Sequence, residues 1–161
     1  MDDIDQRIVQ LLQDNARMSY AELARQVGLT SPSVQERVAK LERNDVISGY
    51  RAQVNPEAVG LGITAMIGIV TTADGEYPEI ADSLRAFDEV ESCYFMAGSE
   101  SYLLKARVGT MSELETLVTR LNRLSGVGGT RTTIALSTKW ENRPHLYGDP
   151  APDDEPAPPQ T

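Results

Sequence analysis

The sequence holds one cysteine, Cys93, and one histidine, His145, in 161 residues. A lone cysteine can neither close an intramolecular disulfide nor build a cysteine-based zinc site. A lone imidazole in a Pro-flanked stretch gives little support to a Ser–His or Cys–His nucleophile pair or to metal chemistry. No metal or cofactor is therefore expected. Long apolar runs are also missing. The one of interest, Ala65 to Val70 with Gly68 inside it, falls far short of the ~20 residues a membrane span needs. The N-terminus, with Asp2, Asp3 and Asp5, is acidic rather than signal-like, so a cytoplasmic protein without membrane attachment is expected.

Positive charge is scarce too: 15 Lys and Arg stand against 24 Asp and Glu, a net −9. That balance disfavours nucleic-acid binding, which draws on phosphate neutralisation. The deficit is uneven, however. Residues 17–51 carry six bases (Arg17, Arg25, Arg37, Lys40, Arg43, Arg51) against four acids, a local +2, whereas residues 148–161 carry four acids and no base.

Ile4, Ile8, Leu11 and Leu12 recur at helical spacing behind an acidic start, which suits a first helix ending near Asn15. Ser19 with Glu22 reads as a capping box opening a second helix, with Leu23, Ala24 and Val27 inward and Gly28 as its stop. Ser31 then caps a third helix with Pro32 in its first position and Val34, Val38 and Leu41 inward. Counted from Tyr20, the small Ala24, the turning Gly28 and the apolar Leu23, Val27, Leu29 and Val34 all fall where a helix-turn-helix needs them. In such a unit the third helix presents its outward residues to DNA: Ser31, Ser33, Gln35, Glu36, Arg37 and Lys40. Arg37 suits guanine, Gln35 adenine, and the serines and helix N-terminus suit phosphate.

Val46 to Val54 alternates loosely around Gly49, as a short hairpin or linker strand would. A second rhythm follows: strand 65–72, helix 78–87, strands 90–97 and 102–108, helix 112–124 opened by Ser112 with Glu115, and strand 130–139. The order β-α-β-β-α-β suggests a ferredoxin-like split βαβ sandwich, an α+β fold. Strand one is apolar on both faces (Met66 and Val70, Ile67 and Ile69), as is strand two (Tyr94 and Met96, Cys93 and Phe95). Two helices cover one side only, so a homodimer is the expected minimum. Residues 148–161, with five prolines and the acidic cluster, read as a disordered tail. The expected division is 1–47, a hinge strand and linker over 48–62, 63–147, and the tail.

The run Asp3-Ile-Asp5 with Ile8, then Ala21-Glu-Leu-Ala24, Val27-Gly-Leu29, Ser31-Pro32, Arg37-Val38 and Leu41-Glu42 resembles the DNA-binding half of the Lrp/AsnC, or feast/famine, regulators. Val46-Ile47, Gly49-Tyr50, Asn55-Pro56 through Gly60, Cys93 to Gly98, Tyr102 to Val108 and Thr130 to Ile134 continue the likeness, which spans Asp2 to about His145. The resemblance implies a winged helix-turn-helix joined to a ligand-responsive βαββαβ (RAM-type) domain that builds dimers and higher rings, commonly octamers.

It also places an amino-acid effector at the loop Gly98, Ser99, Glu100, Ser101 and Tyr102; Thr130, Thr132 and Thr133, which open the last strand, are expected to complete the pocket from a neighbouring subunit. Physically, a glycine lets backbone N–H groups cradle a carboxylate, and Glu100 or loop carbonyls can receive an ammonium group. In the family this loop usually reads Gly-x-x-Asp-Tyr, whereas Ser101 stands here in place of the acid. Two other classes compete with an effector-responsive transcription factor that binds double-stranded DNA. One is a DNA-architectural protein without an effector. The other is an enzyme like the sirohaem decarboxylases of this architecture, against which the absence of histidine from both cores weighs.

Overall fold

The computed structural model describes residues 1–73 and 77–143; His145 and the acidic tail lie outside the described residues. The chain forms two compact units, residues 1–52 with the stretch from Trp140, and residues 53–139.

The first unit holds α1 (Asp3–Asp14), α2 (Tyr20–Val27) and α3 (Ser31–Arg43). Asp2 caps α1 by accepting the Asp5 N–H at 2.8 Å. Ser19 and Glu22 form the expected reciprocal capping box on α2. Gly28 closes α2 in the left-handed conformation at φ 71°, and the Leu29 N–H reaches back to the Ala24 carbonyl at 3.0 Å. The cap of α3 is one residue earlier than expected. Thr30 accepts the Ser33 N–H and Ser31 is already helical, which leaves Pro32 still in the first turn, where its missing N–H costs nothing. Ile8, Leu23 and Val34 are fully buried where the three helices meet.

The expected strand over 46–54 does not form: Val46, Tyr50 and Val54 are exposed, and none pairs with another strand among the described residues. An extended segment with no neighbouring strand leaves its ladder groups to solvent. The Val46 and Ile47 N–H groups instead satisfy the Leu41 carbonyl at 2.9 and 3.2 Å, finishing α3. Beyond them comes one 3₁₀ turn, Glu57–Val59, ended by Gly60 at φ 81°.

The second unit is a four-stranded antiparallel sheet in the order β2-β3-β1-β4, built from β1 (Ile63–Thr71), β2 (Val90–Phe95), β3 (Tyr102–Val108) and β4 (Val127–Ile134). The helices α4 (Tyr77–Leu84) and α5 (Met111–Asn122) lie on one face, since Ile80, Leu84, Leu114, Leu117 and Leu121 share a single core with Ala65, Ile67, Ile69, Leu104 and Ala106. The capping box of α5 is Thr110 with Glu113, not Ser112 with Glu115. Glu113 also accepts the Gly109 N–H at 2.7 Å, a bond the later frame forgoes.

The uncovered face is apolar only in part, with Leu103 on β3 and the exposed Tyr94 on β2. On β1 it carries Thr64, Met66, Gly68 and Val70, and beside them Glu91 bridges Lys105 and the buried Arg107 at 2.7 Å each. Burial alone would raise the Glu91 pKa, but hydrogen bonds from the two cations outweigh it and hold the carboxyl below its ordinary value. Exposed apolar surface extends to the other side of the edge strand as well. Phe95, on the helix side, is 67% exposed and tilted against buried Tyr102, with ring centroids 5.3 Å apart.

Candidate nucleic-acid interface and effector loop

The helix α3 separates cleanly into two sides. Val34, Val38 and Leu41 face the core. At about 100° per residue, Pro32, Glu36, Ala39, Lys40 and Arg43 point directly away from it, with Gln35 on one flank and Ser33 on the other. Ser33, Gln35, Glu36 and Lys40 are exposed, and Ser31 is half-buried. The Ser33 hydroxyl shares a 2.8 Å hydrogen bond with Thr30, so it belongs to the cap as well as to the surface.

Arg37 is placed differently from the sequence expectation of a guanine contact. Its Nη1 donates to Asp5 at 2.6 Å and to Asp2 at 2.8 Å, which turns the guanidinium towards the start of α1. The Asp5 side chain is only 7% exposed, so Arg37 supplies the counter-charge of a buried carboxylate. The Asp2 and Asp5 hydrogen bonds raise the Arg37 pKa. That of Asp2 is lowered, first by the Asp5 N–H and then by Arg37. Arg37 is therefore a tie between α3 and α1.

In the second unit the effector-loop residues part company. Ser101 is fixed to β1: its N–H donates to the Ile69 carbonyl at 2.8 Å and its hydroxyl shares a 2.8 Å hydrogen bond with Thr71. The ring of Tyr102 lies in the core. A Cβ on Gly98 would meet nothing, and Gly98 has no positive φ, so within one chain the position does not demand glycine. Thr130 and Thr132 pair with Ile69 and Ile67 and lie on the helix side, where Thr130 accepts a 3.0 Å hydrogen bond from Asn122.

Glu100 sits on the other face. Its side chain lies over Gly68, where a Cβ would come within 2.5 Å of the Glu100 Cγ. Its carboxylate accepts from Ser99 at 2.7 Å and from Arg131 at 2.8 Å, and these two hold its pKa down, the Ser99 hydroxyl foremost. Arg131 and Gly68, which meet Glu100 here, stand outside the residues expected from sequence. A glycine inside an apolar strand signals close approach of another group, so Gly68 was legible in principle. Arg131, 31 residues from its partner, was not.

The model of the AsnC-type helix-turn-helix domain matches residues 1–42, and that of the Lrp/AsnC ligand binding domain matches residues 64–144. The chain belongs to the Lrp/AsnC family. This Lrp/AsnC protein is 42% identical to the HTH-type transcriptional regulator LrpA of Mycobacterium tuberculosis over 147 residues, 91% of this chain and 97% of that relative. A feast or famine regulatory protein from M. tuberculosis, complexed with L-methionine, superposes with TM-score 0.85 at 40% identity, covering 90% and 98% of the two chains. A transcriptional regulator from Neisseria meningitidis in an L-Met complex superposes with TM-score 0.83 at 30% identity, covering 88% and 93%. The chain is thus a transcription regulator with a helix-turn-helix DNA-binding domain and a ligand-binding α+β domain.

Proposed function

We propose that this Lrp/AsnC regulator reads double-stranded DNA through Ser33, Gln35, Glu36 and Lys40 of α3, and that a free amino acid controls its DNA binding or oligomerisation. The observation that carries the first half is the open side of α3: four polar side chains reach solvent there while Arg37 is tied to α1. Gln35 suits adenine, and Glu36, acceptor-only, suits the amino group of cytosine. Lys40, the half-buried Ser31 and the helix N-terminus serve phosphates.

A window of only +2 on a chain of net −9 holds DNA weakly as a single copy, so affinity comes from pairing. Tyr94, Phe95 and Met96 on the sheet edge, with Ile134 and a fully exposed Leu136, supply apolar surface for a homodimer and for larger rings up to an octamer. Paired copies would read half-sites about 34–36 Å apart. No helix among the described residues is long and apolar enough to cross a membrane, and we place the protein with its DNA in the cytoplasm.

The effector reading rests on the Gly98 to Ser101 loop and on the L-methionine complexes of two structural relatives. We read the chain as a regulator rather than an enzyme, since residues 3–43 and 63–134, which carry its α-helices and strands, contain no histidine. A thermal-shift screen against the twenty amino acids, followed by a salt-titrated DNA-binding assay with each hit, tests the proposal. A stabilising amino acid that also changes DNA affinity is the expected result. Stable binding to a selected DNA site with no response to any amino acid would favour an architectural protein instead.

A further inference from the structure

The helix-turn-helix unit holds an open groove of about 390 Å³. Leu12, Met18 and the buried Val38 give it an apolar lining, and Tyr20 and Tyr50, both exposed, add two aromatic rings. The Tyr50 hydroxyl donates to Glu42 at 2.9 Å, which holds that ring in place and engages the acid of the lining. Three arginines stand next in sequence to lining residues: Arg17 beside Met18, Arg43 beside Glu42 and Arg51 beside Tyr50. All three are exposed, and none makes an ion pair among the described residues.

An aromatic groove with unclaimed cations near it suits an acidic, proline-rich segment. This chain carries one. Asp149-Pro-Ala-Pro152 and Glu155-Pro-Ala-Pro158 repeat one pattern, with Asp153 and Asp154 between them. Each proline fixes its own φ and restricts the residue before it, so ordering such a segment costs little entropy. Residues 145–161 fall outside the family's matched stretches, so the shared fold does not account for them. The described chain ends at Arg143, and the stretch from Trp140 counts with the unit that holds the groove. From Arg143 to Asp149 the backbone can span about 20 Å, at roughly 3.3–3.6 Å per residue.

We propose that Asp149 to Pro159 of this chain docks in the groove and brakes DNA binding. Its prolines pack against Tyr20 and Tyr50, and its carboxylates meet Arg17, Arg43 and Arg51. Docked, the segment sets a charge of −4 on a window of only +2. DNA phosphates draw on the same cations, so a duplex has to displace the segment to reach them.

The test uses the full-length protein in three forms. Beside wild type stand a variant with the five prolines from Pro150 to Pro159 changed to Ala, and one with Asp149, Asp153 and Asp154 changed to Asn and Glu155 to Gln. The first variant keeps every charge and the second every proline. Affinity for a scrambled duplex at low salt and the Met18 methyl resonance are read on each. Both variants are expected to bind duplex about fivefold or more tightly than wild type, and to shift the Met18 signal in the same direction. Tyr20→Ala should raise duplex affinity far more in wild type than in the proline variant, because both changes remove one contact.

A segment acting through charge alone would give the gain only in the acid-neutralised variant and leave Met18 unmoved in the proline variant, which would overturn the docking. A Met18 shift in the proline variant with no gain in duplex affinity would overturn the brake. A Met18 signal that follows protein concentration and ignores both variants would put a second copy in the groove and overturn the choice of occupant.

Discussion

The guanidinium of Arg37, on the third helix of the helix-turn-helix unit, donates at 2.6 Å to the buried carboxylate of Asp5 on α1. Replacing Arg37 with Ala strands that carboxylate without a counter-charge. The expected outcome is a lower melting temperature for the helix-turn-helix unit, with base preference intact in the fraction that stays folded. Calorimetry and a DNA-selection assay on the same variant check both. A stable variant with altered base preference would return Arg37 to the reading surface.

Gln35, Glu36 and Lys40 should behave differently from Arg37 and from one another. Gln35→Ala and Glu36→Gln are each expected to relax discrimination at one base pair by about 1–3 kcal/mol, leaving stability unchanged. Lys40→Ala should weaken binding to all sequences alike and flatten the salt slope by about one. Affinity measured on single-base-pair variants of a selected site, at several salt concentrations, separates the two patterns.

Two glycines offer a contrast of backbone against contact. Gly28 has φ 71° and open space around it, so Gly28→Ala meets only conformational cost, roughly 1–2 kcal/mol. Gly98 has neither positive φ nor neighbours, so Gly98→Ala should leave the stability of a single chain unchanged. Denaturant unfolding of the pair checks this, and equal losses would contradict it.

Partial desolvation and the nearby Glu42, which accepts the Tyr50 hydroxyl at 2.9 Å, push the Tyr50 pKa up to about 12. A raised folded value means that the contribution to stability is fully present below the ordinary value of 10.0 and is lost as pH rises through about 12. Ultraviolet titration should therefore show a late-ionising component that Tyr50→Phe reduces. A titration curve unchanged by the substitution would contradict the assignment.

The local part of this fold was legible because it is written in short spacings. Ser19 and Glu22, three residues apart, bond each other as their order implies, and Val34, Val38 and Leu41 fall on the buried side of α3. The cap of α5 was misplaced because Thr110-x-x-Glu113 and Ser112-x-x-Glu115 overlap, and both frames leave Leu114, Leu117 and Leu121 inward. The long-range ion pairs were hidden by distance along the chain. Arg37 is 32 residues from Asp5, and Arg131 is 31 from Glu100. Periodicity marks which residues face solvent; it does not say which exposed cation a distant carboxylate will claim.

The most direct test of an α3-reading, assembled regulator is selection of sites from a random duplex library by the full-length protein, followed by affinity measurement at physiological salt. The expected result is a site with two half-sites one helical turn or a multiple apart, bound at least about 10³-fold more tightly than a scrambled duplex, with that margin reduced in Gln35→Ala and in Glu36→Gln. Equal affinity for selected and scrambled duplexes, or a margin untouched by both substitutions, would contradict it.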